Sequence, residues 1–283
     1  MQRRLACADF AFPLLPHADV FKLIAMLGFE GVDVGLFEGR SHLQPAHVLE
    51  NLPRAAAALS ALVREQGLEF ADIFYQTSAF PEMAANHPDP AERRKGRDLF
   101  LRMLEFTLRC NAPHMTALPG VDWEGEPRAT ALQRSAEELA WRAEQARRVG
   151  VIFAVEAHLG SIVPTPAGAQ QLVEMAPGLT LTLDYTHFTY QGLSDDECEA
   201  LMPYATHYHA RCARAGRLQS LFKDNVIDYA RVLQAMDRTH YAGYVGVEYV
   251  WTDWEHCNEV DNLSETILLR DHRLAGMQPG GGQ

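Results

Sequence analysis

The hydrophobic residues of this chain follow two spacings that alternate from one end to the other. Short, nearly continuous apolar runs such as Val151–Val155 and Leu179–Leu183 are typical of strands buried on both faces of a parallel sheet. Between such runs lie longer stretches, for example His17–Leu27, whose apolar residues recur three and four positions apart, which is the spacing of a helix. Glycines such as Gly28, Gly67 and Gly150 follow several of these stretches and mark helix ends.

The pattern predicts eight strand and helix pairs in strict alternation. The predicted strands are Leu5–Phe12, Gly31–Val34, Leu68–Gln76, His114–Leu118, Val151–Val155, Leu179–Leu183, Thr206–Tyr208 and Tyr244–Val247. The predicted helices are His17–Leu27, Pro45–Gln66, Ala91–Cys110, Ala129–Val149, Pro166–Met175, Asp195–Met202, Tyr229–Met236 and Asn262–Ala275.

Eight such pairs indicate an α/β protein with one closed (β/α)8 TIM barrel. We expect the barrel to occupy residues 1–276 as a single domain, followed by a flexible tail over residues 277–283, which is rich in Gly, Pro and Gln. The alternative is an open doubly wound sheet. Such a sheet usually carries a Gly-rich phosphate turn after an early strand, and this chain has none.

Composition narrows the range of functions. The 283 residues carry a formal net charge of −12, which argues against nucleic acid as a partner and favours a small-molecule enzyme. No apolar run approaches the length of a membrane span, and the first residues meet Asp9 too early for a signal peptide. The five cysteines show no paired spacing. We therefore expect a cytoplasmic protein without a membrane partner, a disulfide framework or a zinc knuckle.

Four strands in the second half of the chain each deliver an acid or a histidine near the carboxyl end. These residues are Glu156, Asp184, His209 and Glu248. In a closed parallel barrel the carboxyl ends of all strands meet at one rim, so three carboxylates would be crowded together. Taken singly, each acid is better explained by a capped loop or an ion pair, but the set of four favours a divalent cation. Three oxygen ligands with one imidazole suit Mn²⁺, Mg²⁺, Co²⁺ or Fe²⁺.

The sequence around these residues resembles a known superfamily. The segments Val155–His158, Leu183–His187, His207–Arg211 and Gly246–Tyr249 resemble the metal-site strands of the xylose isomerase-like barrels, which include sugar isomerases, ketose 3-epimerases, hydroxypyruvate isomerase and inosose dehydratase. The resemblance spans the whole barrel. It implies one divalent ion, Mn²⁺ first with Mg²⁺, Co²⁺, Fe²⁺ or Zn²⁺ as alternatives, held by Glu156, Asp184, His209 and Glu248. The two glutamates would also carry the proton as acid and base.

The resemblance also suggests residues that touch the substrate. His187 matches a D-x-x-H histidine that contacts a substrate oxygen, and Arg217 resembles the arginine of a Pro-Gly-Arg loop. The chain departs from the pattern there, with Cys212 where an Asp is common and Ala215 where Pro is usual. For His158, the sequence is equally compatible with substrate contact and with a structural role. The aromatic and imidazole rings of Trp123, His42, Tyr75 and Trp251 either line the pocket or pack within loops, and His207 is expected to be structural, one layer below His209.

The expected activity is that of a metal-dependent sugar isomerase or epimerase acting on a keto-sugar or a related hydroxy-carbonyl compound. Two carboxylates on opposite faces of the substrate invert a centre, whereas one carboxylate acting alone interconverts aldose and ketose. The alternative is a dehydratase or other lyase that acts on a keto-sugar or keto-inositol at the same site. A nuclease of this barrel type is disfavoured by the acidic pI of about 5.4, and a non-catalytic sugar-binding barrel by the presence of all four ligands.

The partner is expected to be a small carbohydrate, and the oligomeric state, including a homo-oligomer, is left open. A basic loop after the seventh strand, which contains Arg211, Arg214, Arg217 and Lys223, suggests an acidic or phosphorylated sugar. The competing interpretation is an ordinary solvated loop.

Overall fold

Eight parallel strands close into a barrel in the order of the sequence. A computed structural model describes residues 3–76 and 84–274 of the chain, and in it each strand pairs with the next while the eighth returns to the first. The strands are β1 Leu5–Ala8, β2 Gly31–Phe37, β3 Glu69–Gln76, β4 His114–Ala117, β5 Ile152–Glu156, β6 Thr180–Asp184, β7 Ala205–Ala210 and β8 Val245–Val247. The predicted (β/α)8 barrel is confirmed. The predicted tail over residues 277–283 and the domain end at residue 276 lie outside the described residues.

Helices cover the outside of the barrel. Their bounds are α1 His17–Met26, α2 Pro45–Glu50, α3 Leu52–Glu65, α4 Pro90–Arg109, α5 Arg128–Arg148, α6 Pro166–Met175, α7 Thr186–Tyr190, α8 Asp195–Glu199, α9 Tyr229–Arg238 and α10 Asn262–Leu269. No helix among the described residues is long and apolar enough to cross a membrane.

Local sequence sets where these helices begin and end. Asp89 accepts a hydrogen bond from the backbone N–H of Ala91 and so caps α4, and Thr165 caps α6 through the N–H of Gly168. The predicted glycine stops are confirmed at Gly28 and Gly150, which have φ of +80° and +76°. A side chain on Cβ disfavours that left-handed conformation, so glycine ends a helix there at little cost.

The structure differs from the sequence prediction at two early elements. The first strand stops at Ala8 and is followed by a 3₁₀ turn over Asp9–Ala11, instead of running on to Phe12. The predicted helix Pro45–Gln66 is interrupted at Asn51, whose backbone is non-helical and whose side-chain oxygen accepts from the N–H of Arg54. Asparagine is one of the most favourable N-cap residues, so a new helix begins there although the helical spacing of apolar residues continues through it.

Two later elements also differ. The short helix α7 begins directly after β6, before the predicted helix Asp195–Met202, and it carries His187. The last predicted helix ends at Leu269, and a π-helical turn over Arg270–Leu274 follows it. Because α7 starts two residues after Asp184, His187 stays close to that strand end, with its Nε2 atom 3.5 Å from Oδ2 of Asp184.

The barrel interior contains a buried polar layer beneath the strand ends. His114 on β4 contacts Asp72 on β3 through Nδ1 at 2.7 Å and the hydroxyl of Thr206 on β7 through Nε2 at 2.9 Å. The hydroxyls of Thr116 and Thr182 are 2.6 Å apart across the interior. These side chains are held by partners on strands distant in sequence, which lowers the cost of burying polar groups. The main hydrophobic core therefore lies between the strands and the helices.

Candidate active site and metal centre

A cavity of about 510 Å³ opens at the carboxyl ends of the strands. Its floor carries charged and imidazole side chains, and three aromatic rings form one wall, with Phe37 packed edge-on against both Phe10 and Phe74 at 4.9 and 5.0 Å between ring centroids. Four of the residues proposed from sequence line this cavity: Glu156, His158, His187 and Glu248. A concave site of this size with a few converging polar groups is typical of a small-molecule pocket.

Three of the four predicted metal ligands meet at His209. Its Nδ1 atom lies 2.8 Å from Oε1 of Glu156 and 3.4 Å from Oε2 of Glu248, and all three side chains are buried. One candidate ligand atom from each residue can be chosen so that all lie within 4.8 Å of one another. The barrel thus brings together side chains from β5, β7 and the end of β8 that are far apart in sequence.

Asp184 belongs to a second group that shares Glu156 with the first. Asp184, Glu156 and His187 also have candidate ligand atoms within 4.8 Å of one another. Oδ1 of Asp184 accepts hydrogen bonds from the N–H and hydroxyl of Thr186 at 2.8 and 2.7 Å, and Oδ2 accepts from Nη2 of Arg211 at 2.9 Å. Asp184 therefore lies beside Glu156 and His187, and Arg211 supplies a positive charge next to it.

The two glutamates experience opposite electrostatic environments. Burial raises the pKa of Glu248 above its ordinary value, and nearby Glu156 and Asp184 add to the rise against the opposing pull of His209 and Arg211. Burial acts in the same direction on Glu156, but the hydrogen bond from His209 and the nearby His187 outweigh it and lower its pKa. Burial would lower the pKa of His209, yet the carboxylates of Glu248 and Glu156 raise it to about 10.

These residues fit a divalent cation. Oε2 of Glu248 is buried and accepts no hydrogen bond among the described residues, so it retains lone pairs directed at the cluster. A buried carboxylate without a donor is costly unless a cation compensates it. The donor set of carboxylate oxygens and imidazole nitrogen has the composition that Mn²⁺, Mg²⁺ and Fe²⁺ accept.

Of the four residues proposed to contact the substrate, two line the cavity and two do not. His158 and His187 face the cavity with ring centroids 5.8 Å apart, and burial lowers the pKa of His187 to about 4. Trp123 and Arg217 are not among the described residues that line it. The indole N–H of Trp123 donates to Oδ1 of Asn86 at 3.2 Å, and Arg217 pairs with Glu259 at 2.8 Å.

The basic loop after β7 does not form one patch. Arg211 is buried and turned toward Asp184, whereas Arg214 is exposed and its backbone pairs with that of Arg217 in a turn. The side chain of Arg217 pairs with Glu259, on the segment that follows β8. Arg217 is therefore not among the described residues that line the cavity. The loop is therefore not an assembled phosphate site in this structure.

Of the three remaining rim candidates, only Trp251 lines the cavity, together with Trp254. Tyr75 is turned outward from the barrel onto Phe100, with 6.5 Å between ring centroids, since alternate residues of a strand face opposite sides. His42 stacks on His17 at 4.5 Å.

His207 occupies the structural position expected for it. Its Nε2 atom lies 3.0 Å from Oδ2 of Asp33 on β2, one layer below His209.

Four charged residues at or beside the site were not among the predicted catalytic, metal or substrate-binding residues. They are Arg211, which the sequence analysis named only as part of the basic loop, and Glu38, Arg40 and Asp33. Arg211 lies two residues after His209, and period-two alternation along β7 would have indicated that both face the interior. Arg40 and Asp33 come from the first half of the chain, where no comparable sequence signal points to the site.

Comparisons with known proteins identify the family to which this barrel is similar. The xylose isomerase-like TIM barrel family matches residues 21–271 of the chain. The 2-oxo-tetronate isomerase of Pectobacterium atrosepticum is 24% identical over 269 residues, which cover 88% of this chain and 92% of that protein.

Solved structures share the fold at low sequence identity. The D-psicose 3-epimerase of Clostridium cellulolyticum superposes with a TM-score of 0.74 and 16% identity over 96% of each chain. The probable 3-DHS dehydratase of Bacillus anthracis superposes with a TM-score of 0.71 and 13% identity, over 96% of this chain and 100% of that one. At this identity the structural likenesses establish the fold alone.

Proposed function

The chain belongs to the xylose isomerase-like TIM barrel family, and on that premise we propose that it is a divalent-metal-dependent isomerase or epimerase of a hydroxy-carbonyl carbohydrate. The observation that carries the proposal is the placement of the buried carboxylates of Glu156 and Glu248 within 2.8 and 3.4 Å of Nδ1 of His209, with both glutamates lining the cavity. Two carboxylates whose environments move their pKa values apart are the usual arrangement for paired acid and base chemistry.

Glu156, Asp184, His209 and Glu248 would hold the metal, and we propose Mn²⁺ as its identity. When bound, a divalent ion there supplies Lewis acidity to the carbonyl and hydroxyl oxygens of the substrate, which makes the adjacent carbon-bound proton more acidic. Arg211 already neutralises part of the charge of Asp184, so the protein supports three buried carboxylates in one place.

The two glutamates would transfer the proton. A carboxylate removes the proton from the carbon next to the carbonyl, the electron pair moves into the carbon–carbon bond, and a proton is returned to one of the two carbons. In the metal-free protein the pKa of Glu248 is raised and that of Glu156 is lowered, so the two carboxylates differ in proton affinity before an ion binds. On this basis we assign Glu156 as the base and Glu248 as the group that returns the proton. Return of a proton to the opposite face of the same carbon gives epimerisation. Return to the former carbonyl carbon, together with transfer of the neighbouring hydroxyl proton to the former carbonyl oxygen, gives isomerisation.

The cavity wall supports an oxo acid as the substrate. The rings of Phe10, Phe37 and Phe74 provide an apolar face against which the C–H groups of a sugar can pack. Arg40 lies beside this wall with its guanidinium 4.9 Å from the ring centroid of Phe37, and it donates to the side-chain oxygen of Gln76. Arg40 lines the cavity together with Glu248, whose charge acts on its guanidinium. A guanidinium in this position can bind a substrate carboxylate.

The similarity to a 2-oxo-tetronate isomerase points to the same substrate class, because 2-oxo-tetronate is an oxo acid. We therefore propose that the carboxylate of the substrate faces Arg40 while its carbonyl and hydroxyl oxygens face the cluster of Glu156, His209 and Glu248.

The test combines metal analysis with solvent exchange. Protein purified without chelator is analysed for metal, and protein reloaded with Mn²⁺ is incubated in D₂O with 2-oxo-tetronate, D-psicose and D-tagatose while the carbon-bound proton signals are followed by NMR. We expect exchange of the proton adjacent to the carbonyl, with a product of unchanged formula. Glu156→Gln and Glu248→Gln should each lower kcat by about 10²- to 10⁴-fold.

The matched control is Glu259→Gln, because Glu259 is an exposed acid whose recorded partners are Arg217 and His256. Its rate should equal that of the wild type. Absence of bound metal even after incubation with Mn²⁺ would contradict the proposal, and a product that has lost water would identify the enzyme as a lyase.

A further inference from the structure

The ring of His209 has two sides with different surroundings. Nδ1 faces Glu156 and Glu248 at 2.8 and 3.4 Å, so this nitrogen belongs to the proposed metal site. A histidine that binds a metal through Nδ1 is neutral and carries its remaining proton on Nε2. Nε2 of His209 is buried and makes no hydrogen bond among the described residues. The metal site therefore requires an acceptor on the far side of the ring.

Asp33 is the carboxylate on that side. It projects from β2, is fully buried, and its Oδ2 atom lies 3.8 Å from Nε2 of His209 and 3.0 Å from Nε2 of His207. Its other oxygen, Oδ1, has no hydrogen-bond partner within the described chain. A buried carboxylate held by one histidine retains capacity for a second donor. The 3.8 Å between Oδ2 of Asp33 and Nε2 of His209 exceeds a hydrogen bond, so the two groups would have to approach by about 0.8 Å to form one.

The backbone of β8 makes room for this carboxylate. Gly246 pairs with His209 in the register of β7 and β8, and a methyl group placed on Gly246 would overlap Oδ2 of Asp33 and lie 3.1 Å from Nε2 of His207. Glycine at this position thus leaves room for the carboxylate of Asp33 beside His207 and His209.

From these contacts we propose that Asp33 is a positioning residue for the metal centre. It accepts the Nε2 proton of His209, which fixes the imidazole in the tautomer whose Nδ1 lone pair faces Glu156 and Glu248. This inference rests on the proposed function, because it concerns the same metal site. A carboxylate behind a histidine ligand orients the ring and makes it a stronger donor, and its removal usually weakens metal binding by about 10- to 100-fold.

A competing assignment places an ion between Asp33, His207 and His209, whose candidate ligand atoms also lie within 4.8 Å of one another. That arrangement would use Nε2 of His209 as a ligand. Nδ1 of the same ring could then bind a second ion beside Glu156 and Glu248 only if the imidazole lost both of its protons. Loss of both protons is unfavourable for imidazole. The geometry therefore favours Asp33 as the acceptor from a neutral ring.

The experiment compares Asp33→Asn with Asp72→Asn. Asp72 is also fully buried inside the barrel and bonds a histidine, but that histidine is His114, outside the metal site. Mn²⁺ affinity is measured by calorimetry on folded, chelator-treated protein. We expect Asp33→Asn to raise the Kd by about 10- to 100-fold and Asp72→Asn to leave it within about threefold of the wild type, since Asp72 makes no contact with the site.

A measurement on the wild-type protein keeps the inference testable if Asp33→Asn does not fold. In protein labelled with ¹⁵N on histidine and loaded with diamagnetic Mg²⁺ or Zn²⁺, His209 should show a protonated Nε2 and a metal-shifted Nδ1. The opposite tautomer, equal affinities for the two Asn variants, or two equivalents of bound metal would each overturn it. A wild-type protein that binds no metal would instead contradict the proposed function.

Discussion

The guanidinium of Arg211 and the carboxylate of Asp184 form an ion pair beneath the cavity, with Nη2 and Oδ2 2.9 Å apart and both side chains almost fully buried. Arg211 also lies 3.8 Å from Oε2 of Glu248 and donates to the hydroxyl of Thr186 at 3.1 Å. It therefore stabilises two of the carboxylates assigned to the metal, even before a metal binds.

Replacement of Arg211 should destabilise the metal-free protein strongly. Arg211→Gln leaves Asp184 buried without its cation, and breaking a buried pair in this way costs about 3–5 kcal/mol. Mn²⁺ supplies positive charge to the same carboxylates, so saturating Mn²⁺ should recover more stability in the variant than in the wild type. Urea unfolding with and without Mn²⁺ measures both effects.

Arg217→Gln is the matched control for that experiment. Arg217 and Glu259 form an exposed ion pair, and such pairs contribute about 0–1 kcal/mol. Equal losses of stability for the two arginine variants would mean that the buried pair with Asp184 is not the reason for the effect.

Metal binding should release a proton near neutral pH. The carboxylates of Glu248 and Glu156 raise the pKa of His209 to about 10 in the metal-free protein, so its ring is protonated at pH 7 and must lose a proton to become a ligand. Apparent Mn²⁺ affinity should therefore rise with pH between 7 and 10. Calorimetry in two buffers of different ionisation enthalpy counts the protons released, and a pH-independent affinity would contradict this assignment.

The same shift predicts how the stability of the metal-free protein depends on pH. The folded-state pKa of His209 lies above the ordinary value of about 6.5 for an unfolded chain. Its contribution is fully present below pH 6.5 and is lost as the pH rises through about 10. Unfolding of His209→Asn should lack this loss over the same pH interval.

Arg40 should determine preference for acidic substrates. Arg40→Gln removes the guanidinium beside Phe37 without changing the carboxylates at the floor of the cavity. A charge-assisted hydrogen bond contributes about 1.5–3 kcal/mol, so kcat/KM for 2-oxo-tetronate should fall by about 10- to 100-fold. Activity on a neutral ketose, measured in parallel, should change little, and an equal loss on both substrates would argue against a carboxylate contact.

Gly246→Ala should impair both stability and metal binding. The added methyl group would overlap Oδ2 of Asp33, and overpacking of a buried site costs about 1–3 kcal/mol. Gly96→Ala is the control, because Gly96 lies in helix α4 and a methyl group there meets only Arg142 at 3.5 Å. Replacing a mid-helix glycine by alanine should be neutral or stabilising by up to about 1 kcal/mol. Denaturation and Mn²⁺ titration of both variants provide the comparison, and equal stability and affinity in the two would contradict the predicted overlap.

Periodicity along the chain was sufficient to predict the barrel and much of the candidate site. Eight apolar runs alternating with helical spacing leave few arrangements other than a closed parallel barrel, which places the carboxyl ends of the strands at one rim. Glu156, Asp184, His209 and Glu248 could be grouped for that reason. In the structure Glu156, His209 and Glu248 form one cluster, and Asp184 lies in a second cluster that shares Glu156. Helix stops at Gly28 and Gly150 were predictable because a single residue type suits their left-handed backbone.

Only the tertiary structure decided which charges lie beside those groups. Arg217 was chosen for its sequence context, but the turn after β7 directs it to Glu259, while Arg211 reaches Asp184. Asp33 comes from a strand that no motif connected with the site, and its proximity to His209 depends on strands that meet across the barrel interior. Sequence spacing reports which face of its own strand or helix a residue occupies. Contacts between distant strands depend instead on barrel register and packing, which no local pattern in the chain contains.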